Sequence, residues 1–262
     1  MEHPDSDRIA WRVHREAVLL LAGPRALLMQ IAHPAIAAGV HDHSDWQRRP
    51  YRRLLRTLWL INQIVLGSDA VSQQAVRRVN RRHGRVRGHY RADDSQPPQP
   101  YHANQPELQM WVLATLIDSS IDAYQRWIKP LSESERSSYY AKWREVAARF
   151  EIPAEIIPQT YQDFARYFNN MLTGNALCVR ADTIDMAGQI LRTNLHLQKF
   201  VMALAVHTLP ELLRDKFHFA SETRQQAVWQ RYNAKIGSFV RHTPLAFRIS
   251  PLAIFAKIKS FP

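Results

Sequence analysis

Along most of this chain apolar residues recur at steps of three and four, the period of a helix that buries one face. That pattern predicts helices over 7–22, 24–33, 50–66, 70–87, 106–128, 133–149, 158–173, 182–208 and 221–241. Alternation of apolar and polar residues between turn signals is not sustained anywhere, so no strand is predicted. Several boundaries carry their own chemistry. Pro24 sits in a first turn, Ser132 precedes Glu135 by three residues as in a capping box, and Pro210 closes a helix. The expectation is an all-α fold, a single-domain helical bundle over residues 1–262.

Two segments interrupt the pattern. RADDSQPPQPYHANQP, residues 91–106, holds four prolines among polar residues and reads as a long loop rather than a regular element. AVLLLAGPRALLMQIAHPAIAAGV, residues 17–40, approaches the length of a membrane span, but Gly23-Pro24-Arg25 and His33-Pro34 break its backbone. Two buried helices meeting at Gly-Pro are expected there. His33 precedes a proline, so it is expected to end its helix and cap carbonyls near that end.

Bulk composition changes the picture in two places. Hydrophobic residues make up 46% of the 262, enough for a sizeable core. A formal net charge of +12 and a pI near 10.2 attract polyanions, whether nucleic acid or anionic membrane. Cys178 stands alone, which rules out an intrachain disulfide framework and any cysteine-rich zinc site. The start, MEHPDSDRIAW, lacks the basic region and apolar core of a signal peptide, so a cytoplasmic location is the expectation, peripheral to a membrane at most.

Candidate chemistry begins in AVRRVNRRHGRVRGHY, residues 75–90. On a helix Val76, Val79, His83 and Val86 form one stripe, while most of the arginines lie off it. His83 therefore points inward with the valines. One reading is a core histidine with satisfied ring nitrogens. The other uses Gly84 and Gly88, which remove bulk beside it, and binds a wide flat ligand. A neutral imidazole on an apolar wall with cations at its margin suits haem iron and its propionates.

In RPYRRLLRTLWLINQIVLG, residues 49–67, Arg53, Thr57, Leu60 and Ile64 share a face that Arg56 borders. These polar groups are either solvated and bonded back to the helix, or the fixed polar corner of an apolar pocket. His41, Asp42, His43 and Asp45 could be offered as a metal cluster. An H-x-H in a loop lacks the i, i+4 geometry that gives specificity, so they read as loop and capping residues. His196 and His207 read as buried, hydrogen-bonded residues or, alternatively, a second axial ligand, and the Trp111, Thr115, Asp118 face reads as core. Gly-rich phosphate loops, G-x-S-x-G and H-E-x-x-H are absent, which removes nucleotide-binding and hydrolase readings.

Taken in order, AWRVHREAVLLLAGPRALLMQIAHPAIAAGVHDHSDW, RLLRT with its Leu-Gly-terminated helix, VNRRHGRVRG, and the Tyr-led loop into PELQMWVLATLIDS resemble the MpaB-type oxygenases, which include the latex-clearing proteins. The resemblance covers roughly residues 8–175 and extends more faintly beyond. It implies a globin-related helical core holding a b-type haem through one proximal histidine, and dioxygen cleaving a carbon–carbon double bond of an isoprenoid chain. His83 matches the proximal iron ligand. Arg53 and Thr57 match the arginine and threonine that build the haem site on the preceding helix, and are the expected catalytic pair with Arg56 beside them. Arg56 stands where the rubber enzymes have an iron-capping lysine, and it cannot lose its proton to become a ligand. Leu113 stands where members commonly have histidine, and no match for their proposed glutamate base is found.

The expected function is a haem b-dependent oxygenase using dioxygen on a small or chain-like apolar alkene. A non-enzymatic haem or apolar-ligand carrier or sensor would share the site. A nucleic-acid-binding module is suggested by the arginines of 48–56 and 77–91, but no helix-turn-helix signature or interleaved aromatic platform supports a specific nucleic-acid partner. The basic face and the tail RHTPLAFRISPLAIFAKIKSFP leave packing on the core or contact with an anionic membrane open.

Overall fold

Helical periodicity is realised over nearly the whole chain. The computed structural model describes residues 4–43, 50–92, 95, 97–192, 195–219 and 223–258. In order they form α1 (Pro4–His14), a 3-10 helix (Ala17–Ala22), α2 (Gly23–Ile31), α3 (Pro34–His43), α4 (Pro50–Leu66) and α5 (Asp69–His83). A hairpin of β1 (Arg87–Tyr90) and β2 (Gln99–His102) follows, then α6 (Pro106–Trp127), α7 (Glu133–Arg149), α8 (Tyr161–Thr173) and α9 (Ala181–Ile190). The chain continues through α10 (Leu195–Thr208), α11 (Glu211–Lys216), α12 (Thr223–His242), α13 (Leu245–Arg248) and α14 (Pro251–Ile258). The fold is all-α.

The longest predicted helix becomes the centre. Fourteen of the 22 residues of α6 are buried, so it presents apolar surface on most sides and must be surrounded. The 3-10 helix, α2, α1, α7 and α12 pack on it, and α4 packs on α5, α1, α7 and α14. One hydrophobic cluster joins Ile9 of α1 to Phe217 after α11, through Leu28, Trp111, Trp143 and Phe164. Several polar groups inside it are paired. Arg25 donates to the Thr208 carbonyl at 2.6 Å and to Ser119 Oγ at 2.9 Å, and its Nη2 lies 2.6 Å from Asp118. Trp111 donates to the Met29 carbonyl at 3.1 Å. Trp111, Thr115 and Asp118 are thus core residues.

Tertiary contacts altered several expectations. The helix expected over 70–87 stops at His83, because β1 and β2 pair antiparallel, with Gly88 opposite Tyr101, and claim its last residues. That hairpin also takes residues 99–102 out of the expected loop and corrects the prediction of no strands. The helix expected over 7–22 breaks after His14, where buried Glu16 bridges to Ile249. The one expected over 182–208 divides in two. The Gly23-Pro24 junction turns 3-10 helix into α-helix, while the sharp bend, 109°, falls at the His33-Pro34 break. Among the described residues no single helix is long and apolar enough to cross a membrane. The Ser132–Glu135 capping box is present, with both reciprocal bonds formed.

Candidate functional site

Between α3, α4, α5 and α6 the packing leaves a cavity of about 1030 Å³, at the upper end of the range for ligand sites. Leu60, Ile61, Ile64 and Val65 of α4 form one apolar wall. Val112, Leu113 and Leu116 of α6 form another, on the same face as Gln109 by helical spacing. Trp143 and Phe150 contribute from the α7 side. Thr57 lies on this lining, and Arg56, Arg81, Arg82 and Arg85 bring four largely exposed guanidinium groups to it. Among the described residues no aspartate or glutamate lines the cavity. An anionic group on an apolar body is what such a surface favours.

His83 is the last residue of α5 and lines the same cavity with Val79 and Val86. Val76, one turn further in, is buried, and Arg77 and Arg78 point outward, so the inward stripe is as the spacing predicts. The helix ends tightly, with the Val86 N–H donating to the His83 carbonyl at 2.9 Å. His83 Nδ1 is buried and has no hydrogen-bond partner among the described residues. Burial lowers the pKa of the ring below the ordinary imidazole value, and the neighbouring His102 and Arg82 act in the same direction. Near neutral pH the ring is therefore uncharged, with a lone pair available.

A polar clamp fixes that helix end. Gln109 Nε2 donates to Asn80 Oδ1 at 3.2 Å, and Asn104 Nδ2 donates to the Asn80 carbonyl at 3.1 Å. Both come from the β2–α6 region, so the last turn before His83 is tied to the helix across the cavity. His102 Nε2 lies 3.4 Å from the Gly84 carbonyl, and the Asn104 N–H donates to its Nδ1 at 3.3 Å, a tautomer with the proton on Nε2.

Tyr101 closes the lining from β2 and is 3% exposed. Its ring lies directly over Gly88, where an added Cβ would come within 3.1 Å of Tyr101 Cε1 and of its hydroxyl. This corrects the expectation that both glycines make room for a flat ligand. Gly88 makes room for Tyr101, a Cβ at Gly84 would meet nothing closer than 3.4 Å, and neither residue lines the cavity.

The remaining candidates are distributed as follows. Arg53 lies on α4, but its side chain is outside the described residues, as are Asp45 and the side chain of His196. His41 and His43 end a helix, not a loop. His43 lines the cavity and its Nε2 donates to the Arg87 carbonyl at 3.1 Å, while His41 pairs with Asp42 at 2.9 Å. Among the described residues no three His, Cys, Asp or Glu side chains gather as a metal site. His33 does not cap carbonyls; its Nδ1 accepts from the Ala35 N–H at 3.3 Å and starts the next helix. His207 stacks on Trp229, away from the cavity. Sequence reasoning passed over Gln109, Tyr101, Trp143, Arg81, Arg82 and Arg85 as lining residues. Only Gln109 had a usable signal, a polar residue on the stripe of Val112, Leu113 and Leu116.

A family model described as "ER-bound oxygenase mpaB/B'/Rubber oxygenase, catalytic domain" matches residues 11–237. An uncharacterized protein of Mycobacterium tuberculosis and one of Mycobacterium bovis are each 23% identical over 152 residues, 56% of this chain. The match spans 58% of the length of those relatives. No solved structure matches.

Proposed function

The chain belongs to the mpaB/rubber oxygenase catalytic-domain family, and from that premise we propose that it is a haem b-dependent oxygenase using dioxygen on an apolar alkene. The observation that carries the reading is His83, an imidazole whose pKa burial lowers, on the wall of a large apolar cavity. The residues present fit the cofactor. His83 would hold its iron, and Arg56, Arg81, Arg82 and Arg85 would face its carboxylates. Haem iron supplies the dioxygen chemistry when bound.

The protein's part is position and field. Leu60, Ile61, Val112, Leu113 and Leu116 exclude water and hold an apolar chain. Thr57 supplies a hydroxyl donor on that wall, and the family resemblance would give Arg53, one turn earlier in sequence, a part in the same chemistry. Arg56 keeps its proton at any accessible pH, so it acts as a fixed donor and charge rather than as a ligand. The Asn80–Gln109–Asn104 clamp holds the helix end that carries His83.

Haem titration tests the assignment by two readouts, a Soret band and quenching of tryptophan fluorescence, since Trp143 lies on the lining. Saturable quenching with a Soret band is expected, and His83→Ala should shift the band. A band unchanged by that substitution would refute the ligand assignment. Carbonyl products from an isoprenoid alkene, oxygen and a reductant then separate an oxygenase from a carrier with the same cavity.

A further inference from the structure

From residue 223 to residue 262 the sequence contains seven lysines and arginines and no aspartate or glutamate. The same stretch contains, among the described residues, the most exposed large apolar side chain, Phe247 at 81%, together with Phe239, Phe255 and Ile258, all more than half exposed. Arg248 is engaged by Glu16 and the Val240 carbonyl, and Lys257 lies over the Trp11 ring, but neither the exposed Arg231, Lys235 and Arg241 nor the exposed apolar side chains are explained by the cavity or by packing on the core.

Helix α14 has two distinct faces. Ala253 and Ala256 are fully buried, and the helix packs on α4 through this small-residue side. Ile254, Phe255 and Ile258, at spacings of one, three and four, form the outward side. The element is anchored rather than frayed. The Ser250 N–H donates to the Arg15 carbonyl at 2.7 Å, Arg248 donates to the Val240 carbonyl at 3.1 Å, and Ile249 bridges to Glu16. On α12 the exposed residues Arg231, Lys235 and Phe239 follow at intervals of four and lead toward α13.

We propose that α13 and α14, with the outer stripe of α12, form a docking face for an anionic phospholipid bilayer. Exposed phenylalanine and isoleucine enter the boundary between headgroups and acyl chains, and the exposed cations Arg231, Lys235 and Arg241 meet lipid phosphates. Nucleic acid would satisfy the cations but leave Ile254 and Ile258 bare. A neutral apolar partner would leave the charge without purpose. Because α14 lies on α4, whose Thr57 and Leu60 line the cavity, docking would bring that wall helix to the bilayer, a solvent for apolar alkenes. This last consequence rests on the oxygenase reading; the docking does not.

Flotation of the full chain with extruded vesicles tests it, using phosphatidylcholine alone and phosphatidylcholine mixed with phosphatidylglycerol. The protein should float with the mixed vesicles and remain behind with the neutral ones. The triple variant Phe247→Ser, Phe255→Ser, Ile258→Ser should bind at least about ten-fold more weakly. Lys235→Gln or Arg241→Gln should each weaken binding by about five-fold. All five positions are exposed, so melting curves should be unchanged, which separates docking from folding. Equal flotation of wild type and triple variant would overturn the proposal, as would equal binding to neutral and anionic vesicles. A concentration-dependent dimer that the triple variant abolishes, with flotation intact, would assign the face to a second copy instead.

Discussion

Replacing Gly88 by alanine tests whether that glycine serves the cavity or the tyrosine beneath it. The added Cβ would stand 3.1 Å from Tyr101 Cε1 and from its hydroxyl, and 3.3 Å from Cζ, tighter than nearly all real Cβ contacts, so the ring would have to give by a few tenths of an ångström. Ala35, Leu108, Val86 and Tyr90 pack against Tyr101, so any shift of its ring disturbs that packing or moves it toward the cavity. Overpacking of this kind costs about 1–3 kcal/mol, and removing a glycine from the unfolded chain returns about 0.4–1 kcal/mol. The net expectation is a loss of about 1–2 kcal/mol. For a chain of this size that is about 2–8 °C in Tm. At Gly84 the nearest contact is 3.4 Å, so Gly84→Ala should leave stability unchanged or slightly raised. Urea denaturation measures both. The pair Gly88→Ala, Tyr101→Leu should lose less than the sum of its single changes, by about 1 kcal/mol, because the clash is gone. Equal effects at the two glycines, or strict additivity with Tyr101→Leu, would refute the steric account.

Three further outcomes follow from other parts of the molecule. Burial lowers the fully enclosed His14, bonded to Tyr139 at 2.9 Å, from 6.5 to about 4. Its unfolded form takes up a proton first as pH falls, so stability is constant above about 6.5 and lost by up to about 3 kcal/mol on approach to 4. His14→Leu should flatten that part of a stability–pH curve; an unchanged slope would assign the acid loss elsewhere. Arg25→Met leaves the Asp118 carboxylate without its ion pair and frees the Thr208 carbonyl and Ser119 hydroxyl, for a loss of about 3 kcal/mol. Adding Asp118→Leu should recover part of it in the same denaturation assay. Thr57→Val keeps the shape of an exposed wall residue, so Tm should hold while alkene turnover falls by about ten-fold. Unaltered turnover would remove Thr57 from the reacting side.

Much of the architecture was legible because its causes are local. The bounds of α4 and α7 coincide with the predicted ranges, and Ser132 with Glu135 marks the start of α7 by a bond between neighbours in sequence. The inward side of His83 was legible for the same reason, being a matter of phase relative to Val76 and Val79. What failed required a distant partner. Residues 84–87 continue the helical pattern in sequence, but the helix stops at His83 and 87–90 pair with 99–102, a partner that no neighbouring residue specifies. The role of Gly88 depends on a ring thirteen residues away.

The same division holds for the site. Sequence alone determined a helical protein, a histidine turned away from its arginines, and a threonine and arginine on an apolar stripe, because helical phase is set within a few residues. That His83, Thr57 and Arg56 share one cavity was decided by how α3, α4, α5 and α6 pack, which depends on side-chain volumes far apart in the chain. The neutrality of His83 was likewise a tertiary result, since desolvation is fixed by what surrounds the ring rather than by what precedes it in sequence.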